Sequence, residues 1–120
     1  MLTYFRALAR PEQLSIARRL DAHLTVVGDC WIFRGAKSHN GYPHLRTRTG
    51  CARAHRVAHE IAIGPIPPGL HVDHVQARGC RSRACCNPAH LEAITQAENN
   101  RRAAAARRAR KAAQTLAVAA

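Results

Sequence analysis

Between Asp73 and Asn100 the chain reads DHVQARGCRSRACCNPAHLEAITQAENN, which gathers carboxylate, imidazole, thiol and amide groups into one short stretch. Cys80, Cys85 and His90 are each separated by four residues, and Cys with His is the donor set of closed tetrahedral zinc sites. Asp73 and His74 stand side by side, and Asn99 follows His90 by nine residues. Metal-assisted hydrolysis asks for a base that generates hydroxide, a cation at the leaving oxygen, and a scaffold that keeps both in line. An imidazole that titrates near neutrality can be the base. Hard oxygen donors such as carboxylate and amide suit magnesium or manganese. Neighbouring residues of a regular strand face opposite sides, so Asp73 and His74 reach one cleft only at a strand end or a bulge.

These groups need elements to carry them. The run GPIPPG at Gly64–Gly69 cannot continue a helix and offers few backbone donors, so it reads as a stiff connector that delivers Leu70–Val75 as a strand. Before it, Ala54, Val57, Ala58, Ile61 and Ala62 form an apolar stripe at helical spacing, and Gly64 ends that helix. After it, Thr95-Gln96-Ala97-Glu98 fits a capping box, so a helix begins there with Asn99 in its first turns. That helix runs into RRAAAARRARK, whose charges spread around the perimeter and leave only alanine for packing. Its far end is expected in solvent or along phosphates, with TLAVAA frayed. Upstream, Leu14, Ala17, Leu20 and Leu24 predict an amphipathic helix over roughly Pro11–Leu24. Gly28-Asp29 turns into a strand at Cys30–Phe33, and Asn40-Gly41 signals a hairpin into a second strand near Tyr42–Arg48.

Composition points the same way. With 120 residues, one domain is expected. Nineteen Lys and Arg against seven acidic residues leave a net charge of +12, a field that attracts polyphosphate. Nucleic acid is the natural partner and an anionic membrane surface the competing one. No stretch approaches the ~20 apolar residues of a spanning helix, and MLTYFRALARPE lacks the pattern of a secretory leader. A cytoplasmic protein of a bacterial or phage-infected cell is expected. Only two Phe, two Tyr and one Trp supply aromatic bulk, so the core is thin and an extra staple is needed. Five cysteines, an odd number close to histidines, read as metal ligands rather than disulfide partners.

The combination of VDH on the first strand, C…CxNPxHL across a loop and second strand, and TxxEN opening a helix resembles the HNH and His-Cys box endonuclease superfamily. With the upstream CWIF, GY and AHR elements the resemblance covers roughly Cys30 to Arg102. It implies an α+β fold of the ββα-metal (His-Me finger) type, with a small antiparallel sheet and a structural zinc. It implies His74 as general base, Asp73 and Asn99 as ligands of Mg2+ or Mn2+, and Arg56 as a clamp on the scissile phosphate. It also places Cys30 where zinc-bearing members donate their remaining thiolate, so the zinc set becomes Cys30, Cys80, Cys85 and His90. The chain departs from the simplest pattern in one place. The middle Asn, which orients the base in the family, is replaced at the matching position by His90. The second nitrogen of His74 must then bond to a backbone carbonyl or another side chain, with Asn87 the nearest alternative. Cys86 and Cys51 read as small buried hydrophobes. His55 and His59 with Glu60 lack the order of a zinc-protease helix, whose Glu lies between its two His. His23, His39, His44 and His71 read as surface or satisfied groups.

The expected organisation is an N-terminal helical segment over residues 1–27, a nuclease domain with its zinc site over 28–102, and a basic alanine-rich helix or tail over 103–120. Arg56, Arg101, Arg102, Arg107 and Arg108, with Arg110 and Lys111, are the expected contacts to duplex DNA. The expected activity is metal-dependent cleavage leaving 5′-phosphate and 3′-hydroxyl ends, by nicking or by double-strand cuts from a homodimer. The rival is a non-catalytic, zinc-stapled DNA-binding module. Homing, phage DNA processing and defence would all accept such a core.

Overall fold

A computed structural model describes residues 2–119. Helix α1 (Tyr4–Leu8) is followed by a 3-10 turn at Pro11–Gln13 and helix α2 (Leu14–Ala22). Strands β1 (Leu24–Val27) and β2 (Cys30–Phe33) form the first antiparallel pair, and β3 (His44–Thr47) with β4 (Gly50–Arg53) the second. Helix α3 (Ala54–Ala62) leads through the proline connector to β5 (His71–His74). A loop with two 3-10 turns separates β5 from β6 (Leu91–Ile94), its antiparallel partner, and α4 (Gln96–Ala119) closes the chain. The architecture is α+β with three two-stranded sheets, and β5, β6 and α4 form the ββα unit.

Helix α3 forms as its stripe predicts: Ala54, Val57, Ala58 and Ile61 are all buried. They meet Phe5, Leu20, Leu24, Phe33, Leu45 and Leu91 in one core. The N-terminal segment therefore helps build the core. Helix α1, not foreseen from sequence, is fixed by Asp21 of α2, a carboxylate only 1 % exposed. Its two oxygens accept from the amides of Phe5 and Arg6, each at 3.0 Å, which supplies acceptors for orphan donors of the first turn. Tyr4, Phe5 and Trp31 add edge-to-face contacts at 5.0–5.9 Å.

Three expectations are corrected. The amphipathic helix stops at Ala22, because His23 leaves helical geometry at φ −101°, ψ 3°, and Leu24 begins β1 instead. Leu24 still fills the core, so a buried residue just past the helix end mimics another helical turn. Asn40-Gly41 does turn the chain, with Gly41 at φ 84°, but it closes only the single bridge Lys37–Pro43. Strand β3 takes its partner from the C-terminal side, across Arg48-Thr49, while β2 pairs backwards with β1. TLAVAA continues α4 to Ala119, and Ala120 lies outside the described residues. Helix α4 packs mainly on β5 and then projects, giving the molecule extents of 56 × 31 × 25 Å. No helix among the described residues is long and apolar enough to cross a membrane.

Replacing Asp21 by Ala leaves two amides of α1 without acceptors. We expect a loss of about 1–3 kcal/mol in urea unfolding, and faster proteolysis within residues 4–9 under native conditions. Unchanged stability and protection would show that α1 docks without this cap.

Candidate active site and metal centre

The loop between β5 and β6 brings distant donors together. After Val75 a 3-10 turn at Gln76–Arg78 ends on Gly79 at φ 96°, a left-handed conformation that favours glycine and reverses the chain into Cys80. The returning segment is stitched to β2: the Phe33 amide donates to the Ala84 carbonyl at 2.9 Å, and the Cys86 amide to the Trp31 carbonyl at 2.7 Å. That pairing sets Cys85 opposite Ile32, two residues from Cys30. The 3-10 turn Pro88–His90, just before β6, supplies the fourth group, because the carbonyl of His90 accepts from the Val75 amide at 2.8 Å as the β5–β6 ladder extends.

Donor atoms of Cys30, Cys80, Cys85 and His90 consequently lie within 4.8 Å of one another, and all four residues are buried. Nδ1 of His90 is 3.5 Å from Sγ of Cys85 and 3.8 Å from Sγ of Cys30. Tetrahedral zinc with Zn–S near 2.3 Å and Zn–N near 2.05 Å requires about 3.6 Å between such donors. The amide of Arg81 donates to Cys30 Sγ at 3.4 Å, as suits a thiolate acceptor. A hydrogen bond between Cys80 and Cys85 pulls the first thiol below its ordinary value and pushes the second above. The donor set fits zinc, and this cluster could hold it. Cys86 is fully buried beside it, with burial pushing its thiol up, the inert small hydrophobe expected. Cys51 is exposed on β4, which corrects its buried reading: the strand sits in a two-stranded sheet with little cover.

His74 closes β5 next to this cluster. Its Nδ1 is 3.5 Å from Cys80 Sγ, so the group that positions the imidazole is a sulfur of the metal cluster. Asn87 does not fill that role: its amide donates to the Asp29 carbonyl at 2.7 Å, and its oxygen caps the turn at Ala89. The other nitrogen, Nε2, is buried and unpartnered. Burial, with Arg83 and His90 acting against Asp73, lowers the His74 pKa from 6.5 to about 4, so the ring is neutral and able to accept a proton.

Around His74 opens a cleft of about 830 Å3, also lined by Asp73, Asn99, Arg56, His55 and Tyr42. Asp73 and His74 thus share one cleft although adjacent, through the strand-end route. Asp73 does not stand free: its Oδ2 accepts from Arg102 Nη1 at 3.0 Å, leaving Oδ1 outside that bond. Arg102 also donates to Glu92 and Glu98, each at 3.0 Å, and three carboxylates hold its guanidinium well above its ordinary pKa. Arg56 lines the cleft and donates to the Leu70 carbonyl at 3.3 Å. Arg101 lies outward in an exposed pair with Glu98, and Arg108 is exposed on α4. Arg107 and Arg110 line the cleft from α4. Two lining arginines had no signal in the sequence: Arg53 and Arg83 sit over the Tyr42 ring at 4.5 and 5.3 Å, brought there from β4 and the metal loop.

Metal analysis of the purified chain should find about one zinc per molecule, and Cys85→Ser should lower the unfolding midpoint by leaving three donors without their fourth. In cobalt-substituted protein, His74→Ala should shift the sulfur-to-cobalt charge-transfer band, because one thiolate loses the donor at 3.5 Å. A stable wild type without metal overturns the first expectation, and an unmoved band overturns the second.

Comparison with known families matches residues 52–101 to the HNH endonuclease family. No curated protein and no solved structure matches the chain. The matched segment begins in β4 and carries α3, β5, the metal loop, β6 and the first turns of α4. Over that segment the chain is similar to the HNH endonuclease family.

Proposed function

We propose that the chain is a metal-dependent DNA endonuclease in which His74 is the general base. The observation that carries this reading is the division of labour within one ring. Nδ1 faces the Cys80 sulfur, while Nε2 is left without a partner at a cleft shared with Asp73 and Asn99. A neutral imidazole with one nitrogen committed and one lone pair free can take a proton from water. An incoming phosphodiester brings negative charge beside the ring and raises its pKa from about 4 toward the working range. Asp73 Oδ1 and the Asn99 amide oxygen are hard donors that would hold Mg2+ or Mn2+, and such a cation would neutralise charge on the departing 3′ oxygen.

Arg56 would hold a phosphate oxygen, and Arg107 and Arg110 the flanking backbone. Arg101 and Arg108 would add attraction from the outer face of α4, a role for which Arg102 has least freedom. Residues 28–102 would form the working unit, braced by 1–27 and extended by 103–120. The products would carry 5′-phosphate and 3′-hydroxyl ends. One site cuts one strand, so a double-strand break would need a homodimer or two encounters. Zinc at the Cys3His cluster would hold the loop that positions His74. Such a protein would work in the cytoplasm, where its thiols stay reduced.

One observation favours a second reading: the ion pair of Arg102 with Asp73 ties up a carboxylate the reaction needs. On that reading the chain is a zinc-stapled DNA-binding module that keeps the scaffold alone. Purified protein with Mg2+ or Mn2+ should convert supercoiled plasmid to nicked or linear form, while His74→Ala binds the same DNA and loses at least about 100-fold in rate. Equal inertness of wild type and variant across metals and sequences would leave the binding module.

A further inference from the structure

Among the described residues, two buried side-chain polar atoms have no hydrogen-bond partner. One is Nε2 of His74. The other is Nδ1 of His55, on a residue that is 3 % exposed and lines the same cleft. The two rings lie 4.5 Å apart at 40°, and Tyr42 stacks on His55 at 5.4 Å while lying 6.1 Å from the His74 ring. An unsatisfied polar atom in the interior costs about 1–3 kcal/mol, and native structures keep few of them. Two such atoms on adjacent rings at one cleft mark a place where something else supplies the missing contacts.

We propose that His55 is a second working imidazole of the reaction site, whose Nδ1 accepts a hydrogen bond from the water that His74 deprotonates. This rests on the nuclease reading above. The tautomer follows from the contacts. The His55 ring bonds the Val72 backbone in the sense that favours its protonated form, so it donates to that carbonyl. With Nδ1 unpartnered, the donor is Nε2–H, and Nδ1 carries a lone pair. His74 is the mirror case, with Nδ1–H toward Cys80 Sγ and the lone pair on Nε2. Both rings are held neutral, chiefly by burial.

A water molecule has two protons, and two acceptors fix its orientation. His74 Nε2 takes one proton as the oxygen bonds to phosphorus and the bond to the 3′ oxygen breaks. The second proton stays with the oxygen, which becomes a phosphate hydroxyl, and is lost to solvent afterwards. The departing 3′ oxygen takes its proton from solvent. His55 gains and loses nothing; it removes rotational freedom from the nucleophile, the form of catalysis that precise placement supplies. It stands at the end of β4 and the start of α3, an anchored position fixed by the buried stripe behind it.

The two nitrogens can be separated by substitution. His55→Asn places an amide near Nδ1 and gives up the bond to Val72. His55→Gln reaches toward Val72 and gives up the group near Nδ1. If Nδ1 positions the water, His55→Gln should lose about 100-fold in kcat on plasmid with its DNA affinity unchanged, and His55→Asn should retain cleavage within about tenfold of wild type. A purely structural role for His55 predicts the reverse order, with loss tracking the unfolding midpoint; that order overturns the proposal and leaves His74 as base untouched. A wild type that never cuts overturns both readings. Should either variant fail to fold, histidine nitrogen shifts of the wild-type chain decide the matter, since a proton on Nδ1 of His55 is incompatible with the proposal.

Discussion

The contact between Cys80 Sγ and His74 Nδ1, 3.5 Å long, joins two sites that would otherwise be separate. A histidine can act as a base only if one nitrogen is free and the ring is held against rotation. In a thin core few groups can do the holding. The sulfur is suited to it because it belongs to a cluster whose other members come from β2, the returning loop and the 3-10 turn just before β6. Each of those is anchored by backbone bonds that have nothing to do with chemistry, such as Phe33 to Ala84 and Val75 to His90. The position of the free nitrogen is therefore fixed by the ladder and the cluster together. Neither alone reaches it.

The same economy governs the rest of the molecule. The apolar core includes only two fully buried large aromatics, Phe5 and Phe33, and its remaining volume comes mostly from aliphatic and alanine side chains. Burial on that scale leaves little surplus over conformational entropy, so polar groups carry structural duties usually left to packing. Asp21 fastens α1, His59 Nδ1 donates to the Gly64 carbonyl at 3.0 Å where α3 ends, and Asn87 pins the loop between β5 and β6 to Asp29. A buried charge such as Asp21 is costly unless its oxygens are bonded, and both are. The four-donor cluster obeys the same rule. Three sulfurs and a ring nitrogen packed within 4.8 Å would be satisfied together by a cation that all of them share.

How much of this could be read from the chain depends on the range over which a pattern acts. Helix α3 and the cap at Thr95 are local patterns, and they form as their spacing implies: the Glu98 amide bonds Thr95 Oγ1 at 3.1 Å. The reciprocal half of the cap is absent, because the Glu98 carboxylate is drawn to Arg101 and Arg102. Strand pairing is a choice among partners, and there the turn signal at Asn40-Gly41 was outcompeted by the shorter connection at Arg48-Thr49. The grouping of Cys30 with Cys80, Cys85 and His90 came from resemblance to a family, since no spacing rule links residues fifty positions apart. What no pattern carried was the identity of neighbours across elements. Cys80 beside His74, His55 beside the same ring, and Arg53 and Arg83 on Tyr42 are all contacts between segments whose separate sequences say nothing of each other.

The distribution of charge shows why arginine count alone could not assign roles. Arg102, one turn beyond Asn99, is surrounded by Asp73, Glu92 and Glu98, three of the seven acidic residues in the chain. That cluster ties α4 to β5 and β6 and fixes where the helix leaves the body. Beyond it α4 has almost no packing, yet its alanine, arginine, lysine and glutamine content is rich in strong helix formers. Like charges at i and i+4, Arg107 with Lys111 among them, oppose that propensity by a few tenths of about 1 kcal/mol each. A polyanion lying along the helix removes the repulsion. The residues that weaken the free helix are thus those that a phosphate backbone would reward, and the alanines between them leave room at the cleft for that backbone to approach.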